Sequence, residues 1–228
     1  MLEAIVLAGG QGTRLRSVVP DLPKPMAPIA GKPFLEILLG NLARNGFNRI
    51  IISLGYMAEI IQAHFQNNFL GMEIVYVVED TPLGTGGAVR LAMTKCHADH
   101  TFVFNGDTFL DLEVAAIEKL WQQFRQPILV GRAVPDTSRY GRLSVQGGKI
   151  VGFHEKGMSG PGLINAGVYV LNRNQLNLYA LGTAFSLESD YLEVLVSSKS
   201  MDLFVTSGQF IDIGVPEDYA RAQVELYK

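Results

Sequence analysis

Near its N-terminus the chain reads Ala4-Ile5-Val6-Leu7-Ala8-Gly9-Gly10-Gln11-Gly12-Thr13-Arg14-Leu15. The apolar run at its start, bounded by turn residues, predicts a buried β-strand. The glycines that follow let the backbone take positive φ and approach a ligand closely, because no Cβ intervenes. Exposed N–H groups in such a loop form an anion-binding concavity, and the guanidinium of Arg14 is suited to phosphate. The stretch therefore predicts a triphosphate site at the end of a strand.

A glycine loop after a strand is also a common structural turn, and two familiar phosphate loops do not fit this one. A dinucleotide fingerprint starting at Gly10 would need glycine where Leu15 stands, and the Gly-Lys-Ser/Thr of a P-loop is absent. Further along, Pro23 and Pro25 restrict the backbone on both sides of Lys24. The Lys24 ammonium is then either a surface charge or a second cation for phosphate.

Composition narrows the classes of function. The 228 residues are 48% hydrophobic and 18% charged, which suits one α/β domain with a substantial core. A net charge of −3, without a dense block of Lys and Arg, argues against nucleic acid as a partner. No apolar run approaches the roughly 18 residues of a membrane span, and no leader pattern precedes the first strand. We therefore expect a cytoplasmic protein without a membrane partner, in agreement with the single cysteine, Cys96.

Strand and helix patterns alternate along the first half of the chain. They predict, in order, a strand at 4–8, a helix from Pro33 to Gly46, a strand at 49–54, a helix at 58–65, and strands at 73–78 and 101–105. This rhythm predicts an α/β, Rossmann-like domain with a central, mostly parallel mixed sheet flanked by helices. Hairpin patterns dominate from Arg139 onward and predict a smaller, β-rich part. We expect one domain, 1–228, with two halves that divide at about residue 112.

A second glycine-rich stretch follows the strand at 73–78. It reads Glu79-Asp80-Thr81-Pro82-Leu83-Gly84-Thr85-Gly86-Gly87-Ala88. Three glycines and two threonines stand just before a helical pattern at Val89–Thr94, which predicts a ligand loop at a helix N-terminus.

Asp107 follows the strand at 101–105, at the edge of the sheet where both glycine loops are expected. Mg²⁺ takes hard oxygen ligands, often one or two carboxylates together with phosphate oxygens and water. Asp107 is therefore a candidate metal ligand. The alternatives are a simple Gly-Asp turn, or a role for Asp111 four residues later.

These motifs together resemble the signature of the sugar-1-phosphate nucleotidylyltransferases. The match extends over about residues 2–225 and includes Gly9–Leu15, Pro23–Pro25, Gly106-Asp107, Glu155-Lys156, Asn165-Ala166-Gly167 and Asp212-Ile213-Gly214. The resemblance implies an enzyme that transfers a nucleoside monophosphate from a triphosphate to a sugar 1-phosphate, with Mg²⁺ as cofactor. It assigns nucleotide binding to the first half of the chain and sugar-phosphate binding to the second.

The resemblance also implies roles for individual residues. Arg14, Lys24 and Asp107 would be catalytic, and Asp107 and Asp212 would bind the metal. Nucleotide contacts would come from Leu7, Ala8, Gly9, Gly10, Gly12, Thr13, Glu79, Pro82, Gly84, Thr85 and Gly86. Sugar-phosphate contacts would come from Gly141, Glu155, Lys156 and Asn165. If the base is guanine, its adjacent N1–H and 2-amino groups could donate hydrogen bonds to Glu79 or to backbone carbonyls.

Within the family, a closer likeness is to bacterial guanylyltransferases of D-glycero-α-D-manno-heptose 1-phosphate. It depends on Pro82–Ala88, Phe104–Thr108 and Phe210–Tyr219. The likeness implies GTP as donor and GDP-heptose, a precursor of cell-surface polysaccharide, as product. Uridylyl or guanylyl transfer to N-acetylmuramate or mannose 1-phosphate stays open, as do the oligomeric state and a non-catalytic nucleotide-sensing module. A degenerate module would be expected to lose some of the charged residues named above.

Overall fold

The computed structural model describes residues 1–10, 12, 14–15, 18–154, 157–198 and 201–226. Its strands are β1 (Glu3–Leu7), β2 (Pro28–Ile29), β3 (Lys32–Pro33), β4 (Arg49–Leu54), β5 (Asn68–Phe69), β6 (Met72–Val78), β7 (His100–Asn105), β8 (Thr108–Leu110), β9 (Ile128–Val134), β10 (Arg142–Gln146), β11 (Lys149–His154), β12 (Gly162–Asn172), β13 (Asp202–Thr206) and β14 (Phe210–Asp212). Its α-helices are α1 (Phe34–Arg44), α2 (Ala58–Phe65), α3 (Gly84–Ala92), α4 (Val114–Phe124), α5 (Glu193–Ser197) and α6 (Pro216–Glu225). Among the described residues, no helix is long and apolar enough to cross a membrane.

Ten strands form the central sheet, in the order β11-β10-β12-β7-β1-β4-β6-β5, with β9 paired to β12 and β13 paired to β9. β1 is parallel to both β4 and β7, and β4 is parallel to β6. β12 then runs antiparallel to both β7 and β9. The α/β class with a mixed sheet is confirmed. Its parallel pairs lie among β6, β4, β1 and β7 and between β9 and β13, and the remaining pairs are antiparallel.

The side chains of β1 supply the core on both faces of the sheet. Ala4 and Val6 pack into one apolar cluster, which also contains Leu38 of α1 and Trp121 of α4. Ile5 packs into another on the opposite face, with Val89 of α3. Helices on both faces explain why this strand is continuously apolar rather than alternating. They also hold its carboxyl end, where the first glycine loop begins, in a fixed position.

The prediction that helix α3 begins at Val89 is wrong, because its first turn is formed by the glycines themselves, from Gly84. A Cβ on Gly86 would lie 2.2 Å from the Phe185 ring, and one on Gly87 would lie 2.5 Å from the Thr183 carbonyl oxygen. The glycines are therefore needed for close packing against residues 183–187. Glycine has a low helix propensity, so the sequence pattern placed the start of the helix too late. Tertiary contacts override that propensity here.

Ser186 caps the helical segment that follows it, because its Oγ accepts a hydrogen bond from Ser189 N at 3.2 Å. The first part of the segment, Leu187–Leu192, is a π-helix, and only then does α5 begin. Wide helical turns of this kind occur frequently at functional sites.

Candidate active site

The loops that follow β1, β4, β6 and β7 meet at the carboxyl edge of these parallel strands, where they enclose a cleft of about 690 Å³. This is the usual ligand position in such sheets. Most of the predicted nucleotide and catalytic residues line it: Leu7, Ala8, Gly9, Gly10, Gly12, Arg14, Lys24, Glu79, Pro82, Gly84, Thr85 and Asp107. Thr13 lies outside the described residues.

Gly86 is not among the described residues that line the cleft. Its N–H donates to the Phe185 carbonyl at 2.9 Å, and its Cα faces the Phe185 ring. The N–H is therefore engaged within the protein. Gly86 thereby supports the helix that positions Thr85.

The first glycine loop is anchored on one side and open on the other. Ala8 N donates to the Ser53 carbonyl at 2.8 Å, and a Cβ on Gly9 would lie 3.0 Å from Gly55 N. A Cβ on Gly10 would meet nothing within 4 Å. Gly12 has φ +58° and would place a Cβ 2.7 Å from Lys24 Cβ. Gly9 and Gly12 therefore need to be glycine for close packing, whereas Gly10 leaves its backbone exposed.

Lys24 and Asp107 form the central ion pair of the cleft, with Lys24 Nζ 2.5 Å from Asp107 Oδ2. The Lys24 side chain is only 9% exposed, so its interpretation as a surface lysine is wrong. Pro23 precedes a single 3₁₀ turn, Lys24–Met26, which directs the side chain inward. An ammonium has three N–H donors, so this one can contact phosphate oxygens while paired with a carboxylate.

Asp107 and Asp212 lie side by side although they are far apart in the chain. β8 and β14 pair with Thr108 opposite Asp212, and Ile213 N donates to the Asp107 carbonyl at 3.0 Å. Gly214 N donates to Asp212 Oδ1 at 2.6 Å, and Gly214 itself lines the cleft. Burial raises the pKa of the Asp212 carboxyl, the nearby Asp107 carboxylate adds to the rise, and the Lys24 ammonium opposes it.

This pair fits a hard divalent cation, because two neighbouring carboxylates in a half-buried site repel each other without one. Within the described ranges, no group of three or more His, Cys, Asp or Glu could hold a metal. A cation bound here would therefore take its remaining ligands from phosphate oxygens and water, as Mg²⁺ commonly does. Asp111, the alternative carboxylate, lines a different cavity.

Of the predicted sugar-side residues, Gly141 lies just before β10 and Asn165 lies in β12. Asn165 lies at the irregular pairing of β12 with β9, and its Oδ1 accepts from Gly167 N at 3.0 Å. Gly167 (φ +71°) would place a Cβ 2.5 Å from Asn105 Nδ2, and Asn105 lines the cleft. A Cβ on Gly141 would lie 3.4 Å from the His154 carbonyl oxygen. Glu155 and Lys156 lie outside the described residues.

Several cleft residues were missed from the sequence, notably Ser53, Gly55 and Tyr56 at the end of β4, and Asn105 at the end of β7. The rule that ligands bind at the carboxyl ends of parallel strands could have found them. Nothing in their residue types distinguishes them from ordinary turn residues.

Glu79 is partly buried, and two hydrogen bonds hold its carboxylate in place. Its Oε2 accepts from Leu83 N at 2.9 Å, and its Oε1 accepts from Ser53 Oγ at 3.3 Å. Each carboxylate oxygen keeps a further acceptor site. Glu79 therefore both closes the turn that leads into α3 and presents a carboxylate to the cleft.

Comparison with known proteins identifies the family. A family model described as nucleotidyl transferase matches residues 3–228. The chain belongs to this family. It is therefore a nucleotidyltransferase, as the motifs predicted, and the family generally uses a divalent metal.

Two relatives of this nucleotidyltransferase resemble it over nearly their whole length. The D-glycero-α-D-manno-heptose 1-phosphate guanylyltransferase of Aneurinibacillus thermoaerophilus is 39% identical over 226 residues, which are 99% of this chain and 98% of the relative. The protein of the same name from Campylobacter jejuni is 39% identical over 96% of this chain and 97% of its own length.

A solved structure, that of HddC from Yersinia pseudotuberculosis, superposes on this nucleotidyltransferase with a TM-score of 0.87. It is 38% identical, and the match covers 98% of each chain. A second structure of HddC, complexed with GMP-PN, superposes with a TM-score of 0.86.

Proposed function

We propose that the protein transfers GMP from GTP to D-glycero-α-D-manno-heptose 1-phosphate and releases pyrophosphate. The product, GDP-heptose, would serve the synthesis of cell-surface polysaccharide. The observation that carries the proposal is that Arg14, Lys24 and Asp107 line the cleft with the first glycine loop, while Asp212 lies beside Asp107. The near full-length similarity to heptose 1-phosphate guanylyltransferases supports this choice of substrates.

The reaction requires two mutually repelling anions to be held together. Arg14 and Lys24 line the cleft and would neutralise the triphosphate, and Lys156 would bind the phosphate of the sugar. A phosphate oxygen of the sugar then attacks the α-phosphorus in line. The new P–O bond forms as the bond to the pyrophosphate oxygen breaks, and pyrophosphate leaves with the electron pair. The attacking oxygen is already ionised near neutral pH, so no general base is needed.

Asp107 and Asp212 would hold Mg²⁺, which when bound supplies Lewis-acid polarisation of phosphoryl oxygens. The residues of the chain itself contribute mainly positioning and charge complementarity. The anchored loop at Gly9 would fix the triphosphate, and the Lys24–Asp107 pair would keep the ammonium directed into the cleft. The reaction therefore needs no Ser, Cys or His side chain as nucleophile or general base.

Guanine selection is assigned to Glu79. Its carboxylate lines the cleft and is fixed by Leu83 N and Ser53 Oγ. A fixed carboxylate can accept from both N1–H and the 2-amino group of guanine, whereas the uracil edge carries a single N–H between two carbonyls. Since hydrogen bonds to charged groups contribute about 1.5–3 kcal/mol, the preference for GTP over UTP should depend strongly on this charge.

We expect Glu79→Gln to raise the KM for GTP about tenfold and to reduce the preference for GTP over UTP by a similar factor. Steady-state release of pyrophosphate with each triphosphate measures both effects. Glu59→Gln, an exposed carboxylate in the first turn of α2, serves as the matched control. Equal losses with GTP and UTP would instead show that Glu79 acts only by closing the turn at Leu83.

The overall proposal is tested by a matrix of substrates. GTP, UTP, ATP and CTP are each combined with heptose, mannose, glucose and N-acetylhexosamine 1-phosphates, and pyrophosphate release is measured with Mg²⁺ present. We expect the highest kcat/KM for GTP with D-glycero-α-D-manno-heptose 1-phosphate. A higher value with mannose 1-phosphate or with UTP would reassign the substrates, and no release with any pair would contradict catalysis.

A further inference from the structure

Three side chains beside the cleft form a closed hydrogen-bonded triangle. Asn165 Nδ2 donates to the Tyr169 hydroxyl at 2.8 Å and to Glu188 Oε1 at 3.1 Å. The Tyr169 hydroxyl donates to the same carboxylate oxygen at 3.0 Å. Tyr169 is only 1% exposed, whereas Glu188 is exposed. The triangle therefore joins an exposed carboxylate rigidly to the core of the sheet.

Its position is set by two neighbours that touch the cleft. On one side, Asn165 Oδ1 accepts from Gly167 N, and Gly167 packs against the cleft residue Asn105. On the other side, the Leu187 N–H, which precedes Glu188, donates to Thr85 Oγ1 at 2.9 Å, and Thr85 lines the cleft. Glu188 thus lies where the second glycine loop and β12 approach each other.

Charge indicates what this carboxylate could bind. An anionic side chain repels phosphate and accepts hydrogen bonds, so the part of a sugar 1-phosphate that it can contact is a ring hydroxyl. Among the contacts of the described residues, Glu188 uses only Oε1, which leaves Oε2 to accept from a ligand. Burial and the nearby Glu188 raise the pKa of the Tyr169 hydroxyl well above its usual value. Tyr169 therefore stays protonated and remains a donor to Glu188.

We propose that Glu188 binds hydroxyl groups of the sugar ring and helps to select the sugar, and that Tyr169 and Asn165 are positioning residues that orient its carboxylate. The proposal rests on the proposed function, because it requires a sugar 1-phosphate as the second substrate. A charged acceptor fixed before binding contributes more than a freely rotating one, since little conformational entropy is lost when the ligand arrives.

The test uses the full chain in steady-state assays with GTP and heptose 1-phosphate. We expect Glu188→Gln to raise the KM for the sugar phosphate about tenfold, while kcat and the KM for GTP change less than twofold. Glu188→Asp, which keeps the charge, should raise it less. Glu193→Gln, an exposed carboxylate at the start of α5, is the matched control and should behave like the parent chain.

A double-mutant cycle separates positioning from direct contact. Tyr169→Phe removes only the hydroxyl and should raise the same KM about threefold alone, yet add nothing in the Glu188→Gln background. An unchanged sugar KM in Glu188→Gln, or a raised KM for GTP only, overturns the proposal while leaving the guanylyl-transfer function intact. Failure of the parent chain to use any sugar 1-phosphate would overturn both. Thermal unfolding of each variant shows whether the fold is retained.

Discussion

Asp107→Asn should lower kcat about 100-fold or more with saturating substrates and Mg²⁺, the scale of one lost electrostatic group at a reacting centre. The change removes one charge and preserves the shape of the side chain. In the parent protein that charge pairs with Lys24 Nζ at 2.5 Å and lies beside Asp212. The variant therefore loses a candidate metal ligand and the partner that directs the Lys24 ammonium.

Two measurements distinguish this interpretation from a general loss of structure. Asp111→Asn, four residues away in another cavity, should keep the parental rate. Titration with Mn²⁺ in the presence of a non-hydrolysable GTP analogue should show weakened metal binding in Asp107→Asn only. A near-parental rate for Asp107→Asn at saturating Mg²⁺ would remove Asp107 from the metal site.

Lys24→Gln should lower kcat/KM for GTP about 100-fold, because the ammonium is the buried cation of the cleft and would bind the triphosphate in addition to Asp107. Lys24 is 9% exposed, so its charge is poorly screened by water. Lys24→Arg should not restore activity, since the side chain is 9% exposed and its Nζ lies 2.5 Å from Asp107 Oδ2, which leaves little room for the larger guanidinium.

The matched control is Lys119→Gln, an exposed lysine on α4. Because Lys24 and Asp107 contact each other, the double variant Lys24→Gln/Asp107→Asn should lose much less than the product of the two single losses. If Lys24→Gln kept its KM for GTP and its kcat, the ammonium would serve only to neutralise Asp107. A lowered melting temperature without a kinetic change would lead to the same conclusion.

Local patterns predicted the nucleotide half of the molecule well. The strands that became β1, β4, β6 and β7 were recognised from apolar runs, and the carboxyl-edge rule placed both glycine loops and Asp107 together. These inferences succeed because a buried parallel strand and a glycine turn each have a recognisable residue pattern within a short stretch of sequence. The two-residue and three-residue strands, including β8 and β14, are too short to show such a pattern.

Other features could not be predicted from local sequence. The meeting of Asp107 with Asp212 depends on the pairing of β8 with β14, and it was expected only from the family resemblance. The start of α3 at Gly84 depends on packing by Phe185, which lies far along the chain. No sequence pattern indicated a binding role for Glu188. That proposed role depends on hydrogen bonds from the Tyr169 hydroxyl and the Asn165 amide, which are distant from it in the chain.

By itself the sequence determined the α/β class, the two glycine-rich loops at strand ends and the charged residues suited to nucleotidyl transfer. Each of these follows from residue types within a few positions of one another. Only the tertiary structure decided which carboxylates share a site, how the Lys24 ammonium is directed, and which acceptors stand beside the cleft. Those arrangements arise from contacts between strands and loops that are distant in sequence, where spacing along the chain carries no information about distance in space.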